Sequence, residues 1–178
     1  MKTHSLFLAA ALLLVPKAYA QTSVFINELM PSNVNGIMDD RYEFPDSWVE
    51  LFNPSSSEID IRGWYLSNSK KNLTKWKVPV SCVIPPKGYK LIYLDTENTG
   101  LHANFRLDVK GEELYLVASD GETIVDVSKK FDKQVPADNS FGRLKDGGGV
   151  NGDGFCRLHL GHLIMVLNQL RRIKLSRQ

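Results

Sequence analysis

Residues 113–127 read ELYLVASDGETIVDV, and this stretch decides the fold class. Leu114 and Leu116 lie two positions apart, so a β-strand places both side chains on one face. Asp120-Gly121 follows, and this pair is a strong signal for the tight turn of a β-hairpin. Residues 123–127 then alternate again between apolar and polar side chains. The stretch therefore predicts two antiparallel strands.

The same pattern extends outward over residues 23–143. Short runs rich in Val, Ile, Tyr, Phe and Trp are separated by clusters of Gly, Pro, Asn, Asp and Ser, and none has the 3.6-residue period of a helix. Such spacing is typical of an all-β sandwich or barrel. The predicted strands cover residues 23–29, 47–53, 59–66, 74–79, 89–95, 104–108, 112–118, 123–129 and 140–143.

Residues 1–20 have the pattern of a signal peptide. Lys2 precedes an apolar run over residues 6–15, and Ala18-Tyr19-Ala20 supplies the small residues of a cleavage site before Gln21. The run is too short for a helix to cross a hydrocarbon core of about 30 Å, which favours cleavage over a membrane anchor. We therefore expect an exported protein that is periplasmic, at the cell surface or secreted, with no transmembrane segment after cleavage.

The small net charge of +2 conceals two oppositely charged regions. Residues 21–150 carry a net charge of −4, whereas residues 151–178 carry +4. Nucleic-acid binding depends on clustered Lys and Arg side chains, so the acidic body argues against a nucleic-acid partner.

Six phrases of this chain form a recognisable series. They are FINELMPSN (25–33), SWVELFNP (47–54), IDIRGWYLS (59–67), VIPPKGY (83–89), LHANF (101–105) and SFGR (140–143). Taken in this order, they resemble the lamin-tail domain in the form found in exported bacterial proteins. The resemblance covers about residues 23–146, which we take as the folded domain between the signal peptide and a tail over residues 147–178.

The resemblance implies an immunoglobulin-like antiparallel β-sandwich that is not an enzyme. The family carries no catalytic residues to transfer to this chain. Two hypotheses follow for the function. The first is a module for protein interaction, adhesion or cell-envelope structure. The second is an accessory or glycan-binding module of a secreted hydrolase.

An acidic loop between the first two predicted strands is the best candidate for a metal site. Asp39, Asp40, Glu43 and Asp46 supply the oxygen ligands that Ca²⁺ prefers. Their spacing does not match the twelve-residue calcium loop, and Arg41 interrupts them. A solvated acidic loop is the simpler interpretation. Residues 146–154 likewise alternate Asp and Asn with Gly, but as a single copy they are more typical of a flexible linker.

Catalysis finds little support in the residue pattern. His102 is the one histidine between residues 21 and 150, and nothing in the sequence places a nucleophile beside it. Glu112 and Glu113 are adjacent, so a strand points them to opposite faces. Export permits a disulfide between Cys82 and Cys156, but the apolar surroundings of Cys82 favour a buried free thiol. We therefore expect no catalytic and no cofactor-binding residues.

Large aromatic side chains and a small basic patch have structural explanations. We expect Trp48, Trp64 and Trp76 to pack in the core or on a sheet face. Four lysines surround Trp76, a pattern that suits an anionic glycan or nucleic acid, but edge strands commonly carry such charges to prevent pairing. These are Lys70, Lys71, Lys75 and Lys77.

The tail departs from the family it resembles. A lamin-tail domain continues after this point with an aromatic strand and a Thr-Pro-Gly turn, whereas residues 155–178 are basic and leucine-rich. Leu160, Leu163, Leu167 and Leu170 keep helical spacing, which suits a helix on a membrane surface or a partner. The alternative is a segment that is not native to the fold and results from a frameshift. In that case the closing strand of the sandwich would be lost.

Overall fold

The computed structural model describes residues 24–128, 130, 135–148 and 155–158. The predicted signal peptide lies outside these residues, and so does most of the tail. Within the described part of the chain, regular structure consists of β-strands, and no helix there is long and apolar enough to cross a membrane.

Twelve strands form three sheets within the described residues. The largest sheet has six strands in the order β12-β11-β1-β2-β7-β8, in which the pair β7–β8 is parallel and the other pairs are antiparallel. A second sheet has the order β10-β9-β4-β5, and β3 pairs with β6 alone. The strands are β1 (Phe25–Met30), β2 (Ser47–Phe52), β3 (Ile59–Asp60), β4 (Tyr65–Ser67), β5 (Trp76–Lys77), β6 (Val83–Ile84), β7 (Tyr89–Leu94), β8 (His102–Ala103), β9 (Tyr115–Val117), β10 (Ile124–Val127), β11 (Ser140–Arg143) and β12 (Phe155–Leu158).

The hydrophobic core lies between the six-stranded and four-stranded sheets. Alternate residues of β2 and β7, such as Val49, Leu51 and Ile92, are fully buried there and belong to one cluster with Leu66 and Leu116 of the second sheet. This arrangement confirms the predicted antiparallel, immunoglobulin-like β-sandwich.

The three tryptophans pack as expected. Trp76 is a core residue, and Trp64 is half-buried against the core. Trp48 is also buried, but it alternates with the core-facing Val49 and therefore lies on the other face of the six-stranded sheet.

A buried ion pair joins the two main sheets where each contains a bulge. The register of β1 shifts between Ile26 and Glu28, and that of β10 shifts between Ile124 and Asp126. Arg143 donates two hydrogen bonds to the Asp126 carboxylate, at 2.8 and 2.9 Å, and a third to the carbonyl of Ile26. The amide of Ile26 in turn donates to Asp126 at 2.7 Å. Backbone groups that a bulge leaves unpaired are thereby satisfied.

Several strand boundaries differ from the prediction. The strand expected over residues 59–66 is divided into β3 and β4 by a turn at Gly63, whose φ of 86° suits a residue without Cβ. Residues 104–108 were predicted as a strand, but they form none, and pairing occurs instead at His102–Ala103. The short strand β6 was not predicted. Two-residue strands such as β6 and β8 are too short to show an alternating pattern.

The beginning of the tail also forms a strand, β12, where the frameshift alternative predicts the loss of a closing strand. The helical spacing of Leu160 to Leu170 falls outside the described residues. β12 pairs with β11 in the register Ser140↔Leu158 to Arg143↔Phe155. The edge of β11 presents backbone N–H and C=O groups that any extended segment can pair with, whatever its side-chain period. The remaining tail residues lie outside the described part of the chain.

Candidate functional site

A groove with a volume of about 1210 Å³ lies beside β7. Tyr89, Leu91 and Tyr93 of β7 contribute to one wall, the turn at Pro85-Pro86 to another, and residues 99–102 to one end. The strand β7 is held on both sides, because β2 pairs with its whole length and β8 pairs with Tyr93 and Leu94. The groove is therefore formed by loops on a fixed strand, which is the usual arrangement of a binding surface.

The turn that forms one end of the groove has an unusual backbone. Thr96 and Asn98 adopt positive φ values of 73° and 56°, and Gly100 adopts 54°. The left-handed region is unfavourable for a β-branched residue such as Thr96. Two backbone hydrogen bonds between Thr99 and His102, at 2.8 and 3.1 Å, close this turn. The turn thus brings His102 back beside Asp95.

His102 lies at the centre of a charged cluster that consists of Asp39, Arg41, Asp95, Glu97 and His102. The side chain of His102 is 7% exposed, and its Nδ1 atom is 2.5 Å from Oδ2 of Asp95. Its Nε2 atom lies 3.8 Å from Oδ2 of Asp39, and its ring stacks at a tilt on Tyr93. Asp95 thus fixes the orientation of an imidazole that borders the groove.

Arg41 neutralises two carboxylates of the cluster. Its guanidinium contacts Oδ2 of Asp39 at 2.8 Å and Oε2 of Glu97 at 2.7 Å. These bonds raise the pKa of Arg41 further above its ordinary value. The hydrogen bond from Arg41 also holds the pKa of Glu97 below its usual range.

Asp39 is buried and accepts four hydrogen bonds. The amides of Arg41 and Glu43 donate to Oδ1 at 2.8 and 2.9 Å, and the Arg41 side chain donates two bonds to Oδ2. Burial acts to raise the pKa of Asp39, but these hydrogen bonds outweigh it and leave the pKa lower than usual. Asp39 therefore holds the loop together by means of its charge.

The four candidate calcium ligands do not converge on one point. Asp40 lines the groove, Glu43 is exposed and 3.7 Å from Arg41, and Asp46 is exposed and 3.6 Å from Arg106. The structure instead forms two groups that share His102, and in each group the potential ligand atoms lie within 4.8 Å of one another. These are Asp39, Asp40 and His102, and Asp95, Glu97 and His102. In both groups the guanidinium of Arg41 would compete with a bound cation for a carboxylate.

The cluster has only part of the geometry that nucleophilic catalysis needs. Asp95 and His102 form an oriented carboxylate–imidazole pair, but the hydrogen bonds and ion pairs of the His102 side chain within the described chain involve carboxylates and Arg41, not a hydroxyl or thiol. Cys82 is a buried free thiol, and burial raises its pKa to about 11. A thiol with such a pKa is a poor nucleophile at neutral pH.

Other candidates from the sequence have structural roles. Lys75 lies over the ring of Phe105 and Lys77 over that of Tyr65, while Trp76 between them is buried. Asp146, at the start of the glycine-rich segment, accepts hydrogen bonds from Asn27 and from the Tyr89 hydroxyl. Residues 149–154 lie outside the described chain.

Because Trp76 is buried, the basic patch presents no Trp face to a ligand.

The groove was not predicted from the sequence. It depends on bringing together residues 40–41, 80–93 and 99–102, which no local pattern reveals. One signal was available, because Tyr89–Leu94 reads YKLIYL and is apolar at almost every position. A strand of that kind is covered on both faces or offers one to a partner.

The comparisons with known proteins identify the family of this chain. The family model described as Lamin Tail Domain matches residues 17–131. The matched residues include β1 to β10 and end before β11, which lies between β1 and β12 in the six-stranded sheet. None of the curated proteins is a significant match to this chain.

Proposed function

Because this chain belongs to the lamin tail domain family, a group of immunoglobulin-like domains that are not enzymes, we propose that it is a non-catalytic module. It binds a protein partner at the cell envelope in the groove beside β7. Its proposed role is protein interaction, adhesion or cell-envelope structure, and not catalysis. The pattern of residues 1–20 supports export.

The observation that carries this proposal is the composition of the groove. It combines aromatic and aliphatic side chains from β7 and Leu101 with a few polar groups, among them Asp40, Arg41 and Lys90. Binding surfaces have this character, because apolar contact supplies affinity and a few polar groups supply orientation. The charged cluster at His102 holds the adjoining loops in place, and the residues of the groove contact the partner.

A comparison of two matched variants tests the proposal. Partners of the mature domain are isolated from cell-envelope extract, and the affinity of a purified partner is measured for Leu101→Ser and Ile124→Ser. Leu101 lines the groove, whereas Ile124 is an exposed apolar residue of β10 in the other sheet. We expect Leu101→Ser to weaken binding about tenfold, because interface anchors commonly contribute more than 1 kcal/mol. Equal affinities for the two variants would contradict the proposal.

A second candidate function is a glycan-binding or positioning module of a secreted hydrolase. Tyr89 and Tyr93 lie at the groove together with the polar side chains of Asp40 and Lys90, a combination that also suits a sugar ring. A downstream reading frame or neighbouring gene that encodes a glycosidase, phosphatase or nuclease would favour this function. Saturable binding to an envelope polysaccharide that Leu101→Ser abolishes would establish it over the protein partner.

A further inference from the structure

One edge of β7 is only partly paired in the described chain. On one side β2 pairs with all six residues, from Tyr89↔Phe52 to Leu94↔Ser47. On the other side β8 pairs only with Tyr93 and Leu94. The edge from Lys90 to Ile92 therefore has no neighbouring strand among the described residues, and Lys90 and Leu91 line the groove.

The backbone groups of Leu91 point to this edge. Gly88 accepts a hydrogen bond from Asn53 on the β2 side, and the Tyr93 amide donates to Leu101 on the opposite side at 2.9 Å. Hydrogen-bonding direction alternates along an antiparallel strand, so Leu91 presents its N–H and C=O on the same side as Tyr93. Within the described chain no strand is paired to Leu91 on that side.

Lys90 provides a cation at the same place. It is half-buried, it lines the groove, and no ion pair to it occurs within the described chain. The other cation of the groove, Arg41, is already paired with Asp39 and Glu97. A ligand with a carboxylate near the edge of β7 would therefore pair with Lys90.

From these features we infer that the edge of β7 at Leu91 binds an extended, acidic peptide segment as an added strand. This inference rests on the proposed function and specifies the chemistry of the partner. Backbone hydrogen bonds to Leu91 set the register in which the peptide pairs with β7, as in other cases of strand addition to an open sheet edge. Side chains of the peptide contact Tyr89 and Tyr93 on the sheet face, and an acidic side chain pairs with Lys90.

The walls of the groove favour a single peptide strand over a second copy of this chain. Pro85 and Pro86 flank the edge on one side, and the turn at residues 99–101 closes one end. Within the described chain about three residues of this edge have no neighbouring strand, which corresponds to roughly 10 Å of extended chain. A single strand fits between these walls, whereas edge-to-edge pairing of two sheets needs an edge without flanking loops.

The test uses linear peptides selected from a phage-displayed library on the mature protein. Affinity is then measured for the best peptide and for versions that are N-methylated at single positions. We expect N-methylation at alternate positions on one edge to weaken binding about tenfold and methylation at the positions between them to have little effect. The peptide should also slow hydrogen exchange of the Leu91 amide and bind less tightly, with a weaker salt dependence, to Lys90→Gln.

A protein variant provides an independent check. Leu91→Pro removes the outward N–H without removing a bond to β2, and Leu91→Val keeps it, so only the first variant should lose about tenfold in affinity. The inference fails if no peptide is selected, if alternate methylation has no effect, or if the protein dimerises through this edge. If Leu101→Ser weakens binding while alternate methylation does not, the groove is the binding site but strand addition is wrong. If Leu101→Ser has no effect either, both proposals fail.

Discussion

Single polar residues inside the sequence phrases hold the loops of the sandwich to its strands. Asn53 is fully buried, and its amide donates hydrogen bonds to the carbonyls of Ser57, Ile84 and Pro85 at 2.8 to 3.1 Å. Asn33 similarly donates to the carbonyls of Ile37 and Pro45. The sequence predicts a strand that ends at Asn53 but not these hydrogen bonds, because Ile84 and Pro85 are distant from Asn53 in the chain.

Asn53→Ala should destabilise the protein by about 2 kcal/mol, since it leaves buried carbonyl groups without donors. Urea unfolding of the mature domain measures this cost. Asn139→Ala is the matched control, because Asn139 makes one exposed side-chain bond, to the carbonyl of Ala137, and should cost less than about 0.5 kcal/mol. Equal costs would show that the network of Asn53 contributes nothing particular to stability.

Asp39 makes the stability of the acidic loop depend on pH. Its pKa is lowered in the folded protein, so its contribution is fully present above the ordinary Asp pKa of about 3.9. That contribution is lost as the pH falls through the lower pKa of the folded state. Asp39→Asn should therefore reduce the thermal midpoint at neutral pH and flatten its decline below about pH 4. The exposed Asp40→Asn should keep the decline of the unmodified protein, and a steep decline in Asp39→Asn would contradict the assignment.

Calcium binding by Asp39, Asp40, Glu43 and Asp46 is a hypothesis that is still to be tested. Arg41 contacts Asp39 and Glu43, and Asp46 lies near Arg106, so a cation would compete with existing partners. We expect the thermal midpoint of the mature domain to be the same in Ca²⁺ and in chelator. A rise in Ca²⁺ that Asp39→Asn abolishes would establish the site.

At the scale of elements, the bulges of β1 and β10 meet at the Arg143–Asp126 pair. Burial raises the pKa of Asp126, while Arg143 acts in the opposite direction. Each side chain of the pair therefore mainly offsets the cost of burying the charge of the other. Arg143→Met should cost about 3 kcal/mol, because it leaves the Asp126 charge uncompensated.

The double variant Asp126→Asn with Arg143→Met should be more stable than Arg143→Met alone. Removing the second charge relieves the uncompensated carboxylate, and the Asn oxygen can still accept the Ile26 amide. Urea unfolding of the three proteins provides the comparison. A double variant less stable than Arg143→Met would show that Asp126 contributes independently of Arg143.

Longer strands could be predicted from the sequence because their pattern is local. The bounds of β1, β2, β7, β10 and β11 agree with the predicted strands to within about two residues. Shorter elements were missed, since β6, β8 and β12 form only where a neighbouring strand offers backbone partners. The cluster at His102 was missed for the same reason, because the parallel contact of β8 with β7 brings His102 to Asp95.

For the whole molecule, the fold follows from the alternating strands, and the proposed function follows from the surface that these strands leave open. The family match shows what kind of domain this is, and the residues of the groove carry the proposal of where it binds. Two sheets support the groove, part of the β7 edge has no neighbouring strand within the described chain, and the charged cluster holds the adjoining loops. Neither the partner nor the groove could be derived from the sequence, because the lining residues come from separate parts of the chain.

Binding of a protein partner in the groove is tested most directly by site-specific photocrosslinking in the cell envelope. A photoreactive amino acid replaces either Leu101 in the groove or Ile124 on the other sheet, and crosslinked products are analysed by mass spectrometry. We expect a specific protein adduct from position 101 and none from position 124. Adducts from position 124 alone, or no adduct from either position, would contradict it.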